Sequence, residues 1–368
     1  MKSRISARAR ELGFDLCRIT SAAPPETGAA FSTWLDQRRY GNMAYLPRSA
    51  PRRRDPQRVL PGAQSIVCVA VNYALFDPHN PALGLSPTRD RKHADETVRA
   101  PTGRGQPKGL AARYAQFDDY HDVMGSRLES LVEFIHQLGG ADTRSAACVD
   151  TGPVLERDFA QRAGIGFVGK HTNLISRRFG NWLLLGEILT TLPLEADPPE
   201  KNRCGSCLRC LKACPTQAIV APFELDARRC LSYLTIEFKG SIPLEFRPAL
   251  GRRIFGCDIC LEVCPWNRFA QNSRLMKQHA RCDLDRPDLR ELLALDEAGF
   301  QSRFARTPLS RPGRRGLLRN VCVALGNTDQ SGALAALDRA AHDPEPLIAE
   351  HARWAMEQIQ ARQAARGT

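Results

Sequence analysis

The residues with most chemistry in this chain are its cysteines, eight of which fall between positions 204 and 264. The run RCGSCLRCLKACPTQAI (203–219) places Cys204, Cys207, Cys210 and Cys214 at x2-x2-x3 spacing, with Pro215 behind the last. This is the bacterial ferredoxin rhythm for a [4Fe–4S] cluster. Each iron of a cubane needs one thiolate. Three closely spaced cysteines wrap three corners, the fourth comes from a distant residue, and the last cysteine of the run crosses to a second cluster. The later run FGCDICLEVCPWN (255–267) carries Cys257, Cys260, Cys264 and Pro265 but has no middle member. Cys230, in LDARRCLSYL (225–234), is the candidate for the eighth thiol. The crossover rule then assigns Cys204, Cys207, Cys210 and Cys264 to one cluster, and Cys214, Cys230, Cys257 and Cys260 to the other. Zinc is the rival, because Cys-x2-Cys pairs also mark zinc ribbons. Zinc, however, takes four ligands in two pairs and has no use for a third cysteine at this spacing followed by x3-Cys-Pro. Cys17, Cys68, Cys148, Cys282 and Cys322 stand in helix-like or strand-like surroundings and are expected as buried small hydrophobes.

Two cubanes pass electrons one at a time, and a chain of 368 residues is far longer than such a wire needs. The rest must hold what the electrons reach. SIVCVAVNY (65–73) reads as a buried strand, YHDVMGSRLESLVEFIHQL (120–138) as an amphipathic helix, SAACVD (145–150) as a strand and NWLLLGEILTT (181–191) as another. Between the last two, Pro153 suits a first helical turn and Gly164 a helix stop. Strands interleaved with helices predict an α/β domain over 1–195, with the Pro- and Gly-rich stretch 77–112 as a mobile surface insertion. Residues 196–285 form the two-cluster, ferredoxin-like part. Residues 286–368 read as helical, with LLRNVCVALGN (317–327) and IAEHARWAMEQ (348–358) matching at an offset of 31, so that Val321 aligns with Ala352 and Ala324 with Ala355. That hints at paired-helix solenoid repeats. The fold class is therefore α+β/α/β with a helical repeat domain.

The net charge is +12. Excess positive charge attracts polyanions, and the arginines cluster. Arg303, Arg306, Arg311, Arg314, Arg315 and Arg319 lie in a stretch without Asp or Glu, and Arg48, Arg52, Arg53, Arg54 and Arg58 form a second group. No apolar run approaches the ~18 residues that span a bilayer. The basic N-terminus has no signal h-region and reads as a helix with Ile5, Ala9 and Leu12 on one side, so a cytoplasmic location and no membrane are expected.

VDTGPVLERDFAQRAGIGFVGKHTNLIS (149–176), NWLLLGEILT (181–190), the first cysteine run, ELDARRCLSYLTIEFKGSIP (224–243) and GCDICLEVCPWN (256–267) resemble, in order, the bacterial epoxyqueuosine reductases. The resemblance implies a cobalamin-dependent oxidoreductase with two [4Fe–4S] clusters that reduces epoxyqueuosine to queuosine at the wobble position of tRNA. It implies an α/β cobalamin-binding domain, a ferredoxin-like insert and a C-terminal HEAT-like helical domain that grips tRNA. Asp150 matches the family's proton donor, against a plain helix-capping aspartate, and such an acid needs its pKa raised by burial. Arg53, Lys170, Ser232 and Asp258 match positions near the corrinoid, and Lys239 a position near tRNA; each is otherwise an ordinary solvated or turn residue. Arg314, Arg315 and Arg319 of the basic tail are expected on tRNA phosphates. YAQFDDYH (114–121) has Phe117 where the family has glycine. His121 is read as a helix-start residue and not as a cobalt ligand. A monomer with an external low-potential electron donor is expected. The alternatives are another corrinoid and iron–sulfur reductase acting on a small organic substrate, such as a reductive dehalogenase, or a non-catalytic ferredoxin-type carrier.

Overall fold

The computed structural model describes residues 1–75, 107–328 and 331–367. In chain order, α1 (Lys2–Glu11), β1 (Leu16–Ser21), α2 (Gly28–Asp36), α3 (Tyr45–Arg53) and β2 (Ser65–Asn72) come first. After β3 (Leu110–Ala111) follow α4 (Tyr120–Gly139), β4 (Ser145–Cys148), α5 (Glu156–Arg162), β5 (Phe167–Val168), β6 (Leu174–Ile175) and β7 (Leu183–Thr190). The cysteine region holds α6 (Arg209–Ala213), β8 (Ile219–Ala221), β9 (Glu224–Leu225), α7 (Leu231–Ile236), α8 (Arg247–Leu250), β10 (Arg253–Phe255) and α9 (Ile259–Glu262). The chain closes with α10 (Leu289–Leu293), α11 (Glu297–Phe304), α12 (Gly313–Gly326), α13 (Leu334–Ala340) and α14 (Pro346–Gly367).

The main sheet runs β1-β2-β7-β4, and every pair in it is antiparallel. This corrects the expected α/β domain to an α+β one. The physical reason lies in β2, whose eight residues are all buried. Val67, Val69 and Val71 pack with Ile5, Leu128, Leu131 and Ile135 of α1 and α4. Ile66, Cys68 and Ala70 pack on the other face with Phe159 and Ala160 of α5. A strand covered by helices on both faces reads as a continuous apolar run, the pattern usual for parallel sheets. Pro153 lies three residues before α5 and so outside its first turn, a second correction. Gly164, at φ +82°, follows the helix end as expected.

Residues 77–106 of the expected insertion lie outside the described residues. Residues 107–112 belong to the body of the protein. Leu110–Ala111 pairs parallel with Arg253–Phe255, and the Leu289 amide donates to the Pro107 carbonyl at 2.9 Å.

The cysteine region and the tail share a core. Ile236, Ile254 and Phe255 pack in one cluster with Leu317, Val321, Ala352 and Ala355. Asn320 donates to the carbonyls of Thr235 and Ile254, both at 2.8 Å. Position 285 is thus no packing boundary. α12 and α14 approach so closely that a Cβ on Gly326 would stand 2.9 Å from the Ala355 backbone. Phe117, at the place where glycine was noted, is buried and bridges Ala280 without a positive φ.

Candidate functional site

β4 ends at Cys148, and the chain turns sharply before α5. Asp150 sits in this turn at φ +52°, the left-handed region that non-glycine residues enter only when their surroundings hold them there. Three contacts hold it. Its amide donates to Glu156 Oε1 at 2.6 Å. Tyr120 Oη donates to Asp150 Oδ2 at 2.8 Å. His121 Nε2 lies 3.6 Å from the same oxygen. Gly152 is required here, because a Cβ would fall 2.4 Å from that of Cys148.

α4 delivers both partners. Asp119 caps the helix by accepting from the His121 amide, and its Oδ1 lies 2.7 Å from His121 Nδ1. The imidazole is therefore held between two carboxylates. The hydrogen bond to Asp119 and the nearby Asp150 carboxylate outweigh burial and push its pKa up to about 9, so it carries a proton at neutral pH. Burial pushes the Asp150 carboxyl up, but the nearby His121 ring and the bond from Tyr120 win and hold it below the ordinary carboxylate range. Asp150 by itself is therefore not an acid raised by burial. The proton of this pair rests on His121, and the half-exposed Asp150 meets solvent beside it (side chain 51% exposed). Beneath the turn, burial and the Asp150 charge raise Glu156. Glu187, central in the sheet opposite Cys68 and Cys148, is fully buried, lacks a hydrogen-bond partner among the described residues, and is raised well above the carboxylate range by burial.

The thiols fall into two groups. Cys210 feels the charges of Cys264 and Cys204, and Cys264 those of Cys204 and Cys207. Cys260 feels Cys257, Cys230 and Cys214. Local bonding shapes both loops: the Lys170 amide points at Cys204 Sγ (3.4 Å) and the Ala218 amide at Cys214 Sγ (3.2 Å). Burial drives Cys257 up to about 12 and Cys210 to about 11, so as thiols they resist ionising until a cationic centre takes them. No three of the described His, Cys, Asp or Glu side chains converge on one point as a single ion requires. In a tetrahedral zinc site all ligands lie within about 2.3 Å of the metal, whereas a cubane spreads its four thiolates over four corners. Two groups of four thiols match two cubanes, one thiolate to each iron corner.

Aromatic side chains link the two regions. Tyr114 packs against both Tyr120 and Phe255, at 6.0 and 6.1 Å between ring centres. Its hydroxyl feels Asp150 on one side and Asp258 on the other. Asp258 caps α9 beside Cys257, accepts from the Arg113 amide at 2.7 Å, and is raised to about 6 by burial. Arg53 reaches the cleft from α3, donating to the Val154 carbonyl at 2.9 Å within electrostatic range of Glu156 and Asp150. Ser232 lies at the start of α7, where its amide points at Cys230. Lys170 is buried, with Nζ on the carbonyls of Gly205 (2.7 Å) and Cys207 (3.1 Å). Its ammonium is committed to the first cysteine loop, which corrects the expected corrinoid contact.

The basic tail differs most from expectation. Arg319 is fully buried and donates to the carbonyls of Phe238, Gly240 and Leu234, each at 2.7 Å. It fastens α12 to the segment after α7 and cannot meet a phosphate. Arg314 pairs with Asp343 at 2.5 Å, Arg315 with Glu345 at 3.1 Å and Arg311 with Glu237 at 2.6 Å. Only Arg315 of the three expected tail arginines is well exposed. Lys239 is exposed and leans 3.4 Å from the Arg311 carbonyl. Cys282, expected buried, is exposed, and Cys17 is only partly covered. Tyr120, His121 and Glu156 were not singled out as site residues from sequence. The DYH string is the signal for Tyr120 and His121, and the Asp150 that Tyr120 bonds lies 30 positions away.

Residues 203–267 match the family model of a 4Fe-4S double cluster binding domain, and residues 53–151 the model described as epoxyqueuosine reductase QueG, DUF1730. The cysteine-bearing segment is accordingly an iron–sulfur cluster binding domain. The chain is 42% identical to the epoxyqueuosine reductase of Xanthomonas campestris, over 97% of this chain and 95% of that one. It is 37% identical to that of Escherichia coli, over 96% and 88%. It superposes on a crystal structure of an epoxyqueuosine reductase with an epoxyqueuosine-modified tRNA-Tyr stem loop at a TM-score of 0.84, with 32% identity, covering 97% of this chain and 90% of that one. No helix among the described residues is long and apolar enough to cross a membrane.

Proposed function

Because the chain belongs to the epoxyqueuosine reductase family, we propose that it reduces the epoxide of epoxyqueuosine in tRNA to the cyclopentene of queuosine. Removing the oxygen as water takes two electrons and two protons. The observation that carries the reading is Asp150 bonded to Tyr120 with His121 at 3.6 Å, beside Tyr114, which lies within electrostatic range of Asp258 on the cysteine-bearing loop.

The ground between Asp150 and Asp258 suits a large, amide-bearing corrin. It offers the charged groups Arg53, Asp150 and Asp258, of which burial lowers Arg53 and raises Asp258, beside the rings of Tyr45, Tyr114 and Tyr120. When bound there, cobalamin would supply the strong nucleophile or electron donor that opens the ring, with the [4Fe–4S] clusters restoring its electrons. Arg53 and Asp258 would hold it, with Ser232 supporting the adjoining cysteine loop.

The chain's own residues handle protons and position. Asp150 faces the cleft and relays a proton to the oxygen that leaves. His121 stores that proton, and Asp119 keeps the imidazole charged until it is needed. Tyr120 fixes the carboxylate by its 2.8 Å bond. The half-exposed Asp150 takes the second proton from solvent. Glu156 keeps the turn in its left-handed conformation. Residues 1–195 would hold the corrin, 196–285 the clusters and 286–368, with Lys239 and Arg315, the tRNA backbone.

The test is anaerobic turnover. Reconstituted protein, cobalamin and a chemical reductant should convert a modified anticodon stem loop to queuosine, read by nucleoside mass spectrometry. Asp150→Asn should bind the stem loop and fail to convert it. Conversion by Asp150→Asn at the parent rate removes the proposed role.

A further inference from the structure

Electrons must enter this protein before the chemistry above can begin, and the two thiol groups differ in how they meet solvent. Around Cys257 and Cys260 the neighbouring Phe255, Ile259 and Leu261 are buried, as are Leu231 and Tyr233 around Cys230. Around Cys204 and Cys207 the chain is open: Arg203, Gly205, Ser206, Leu208 and Arg209 are all exposed. The group of Cys204, Cys207, Cys210 and Cys264 is therefore the outer one, and the group beside Asp258 the inner one.

The surface at the outer group has a distinct chemistry. Lys201, Arg203, Arg209 and Lys212 follow one another along the chain without an intervening Asp or Glu, and the Arg268 guanidinium stacks over Phe269 at 4.6 Å. Arg177 and Arg178, exposed on the 176–180 turn, complete the rim. A cavity of about 450 Å³ opens there, lined by Arg177, Arg178, Arg203, Trp266, Phe269 and Gln271. Trp266 stands two residues after Cys264 and packs on Phe269 at 5.5 Å between ring centres. Phe269 and Leu208 are exposed large hydrophobics, at 39% and 40%. Glu200 is the acid paired into this rim, with Arg203 at 3.0 Å and Arg177 at 4.0 Å. With Glu262, exposed on α9 beside α6, two carboxylates stand against the basic side chains named above, and the patch keeps a net positive charge.

An apolar centre ringed by arginines matches the anatomy of a transient protein interface. The basic rim says what sign the partner carries, and the thiols beneath say what it delivers. We propose that this face, around Trp266, Phe269 and Leu208, docks a small acidic one-electron carrier protein that reduces the outer cluster. The proposal rests on the iron–sulfur reading. Each encounter oxidises the carrier by one electron and reduces the outer cluster by one, and two encounters supply one turnover. This face is built from other segments than the Asp150 cleft, so carrier and tRNA need not exclude each other.

The test uses the reconstituted full-length protein with a purified flavodoxin, in its fully reduced form, as probe. Stopped-flow absorbance follows cluster reduction in the parent and in Arg177→Glu/Lys212→Glu/Arg268→Glu. Electrostatic steering changes association rates by about 10- to 1000-fold. The parent rate should fall with added salt, and the variant should be at least about tenfold slower at low salt. Photoreduced deazaflavin, a small reductant with no docking requirement, should reduce both proteins at the same rate. Equal rates with flavodoxin overturn the proposal. So does a loss of tRNA affinity in the variant with flavodoxin rates unchanged, which would make the face a nucleic-acid interface. Loss of iron and of the deazaflavin reaction in the parent protein would instead remove the iron–sulfur reading itself. If the glutamate variant alone loads poorly, Arg177→Gln/Lys212→Gln/Arg268→Gln, measured per loaded cluster, decides between the same outcomes.

Discussion

His121 is the proton store in the scheme above, and its behaviour with pH follows from its two carboxylate neighbours. The hydrogen bond to Asp119 at 2.7 Å and the Asp150 carboxylate at 3.6 Å carry its pKa from 6.5 to about 9. At ~1.4 kcal/mol per tenfold, that corresponds to about 3 kcal/mol favouring the charged ring. Solvent at the partly exposed pair reduces the stability share to about 2 kcal/mol. The folded pKa is raised, so this stabilisation is fully present below pH 6.5 and is lost as pH climbs through about 9. Single-turnover reduction should share that window. The rate should be level through neutral pH and fall about tenfold per pH unit beyond about 9. Asp119→Asn removes the nearer carboxylate and should draw the alkaline limb down toward pH ~7, the ordinary imidazole range. His121→Gln, which cannot store the proton, should slow the chemical step by about 10²- to 10⁴-fold with stem-loop affinity retained. The assay is rapid-quench conversion of the stem loop from pH 6 to ~10, beside an NMR titration of His121. An alkaline limb that stays put in Asp119→Asn, or an imidazole titrating near 6.5, would refute the reasoning.

Further outcomes follow from other parts of the structure. Arg319→Met orphans three buried carbonyls and should cost about 3–5 kcal/mol in a denaturant melt, whereas Arg315→Ala, an exposed pair, should cost less than about 1 kcal/mol. Cys264→Ser should lower iron content by about half and silence the same EPR signal as Cys204→Ser, with Cys230→Ser silencing the other. Glu187→Gln replaces a buried carboxyl whose raised pKa costs the fold stability once pH passes the ordinary carboxylate range. Melting curves at neutral and alkaline pH should show that variant more stable than the parent.

Sequence carried the local chemistry well and the long-range chemistry poorly. The cysteine rhythm is legible because three of four corners of a cubane are met within a few residues. The strands at 65–73, 145–150 and 181–191 and the helix at 120–138 were legible from periodicity. Strand direction was not. β2 is covered by α1 and α4 on one face and by α5 on the other, which gives an antiparallel strand the continuous apolar run of a parallel one. The arginines misled for a related reason, since their partners lie far along the chain. Arg319 spends its guanidinium on carbonyls 79 to 85 positions away, and Arg314 is neutralised by Asp343, 29 positions on. The ionisation of Asp150 depends on Tyr120 and His121, brought to it only when α4 packs beside β4.

The most direct measurement is nucleoside mass spectrometry of tRNA from cells lacking this gene, with and without a plasmid copy. The account predicts that epoxyqueuosine accumulates in the mutant and that queuosine returns with the parent copy but not with Asp150→Asn. Queuosine that returns equally with either copy, or epoxyqueuosine that persists with the parent copy, would contradict it.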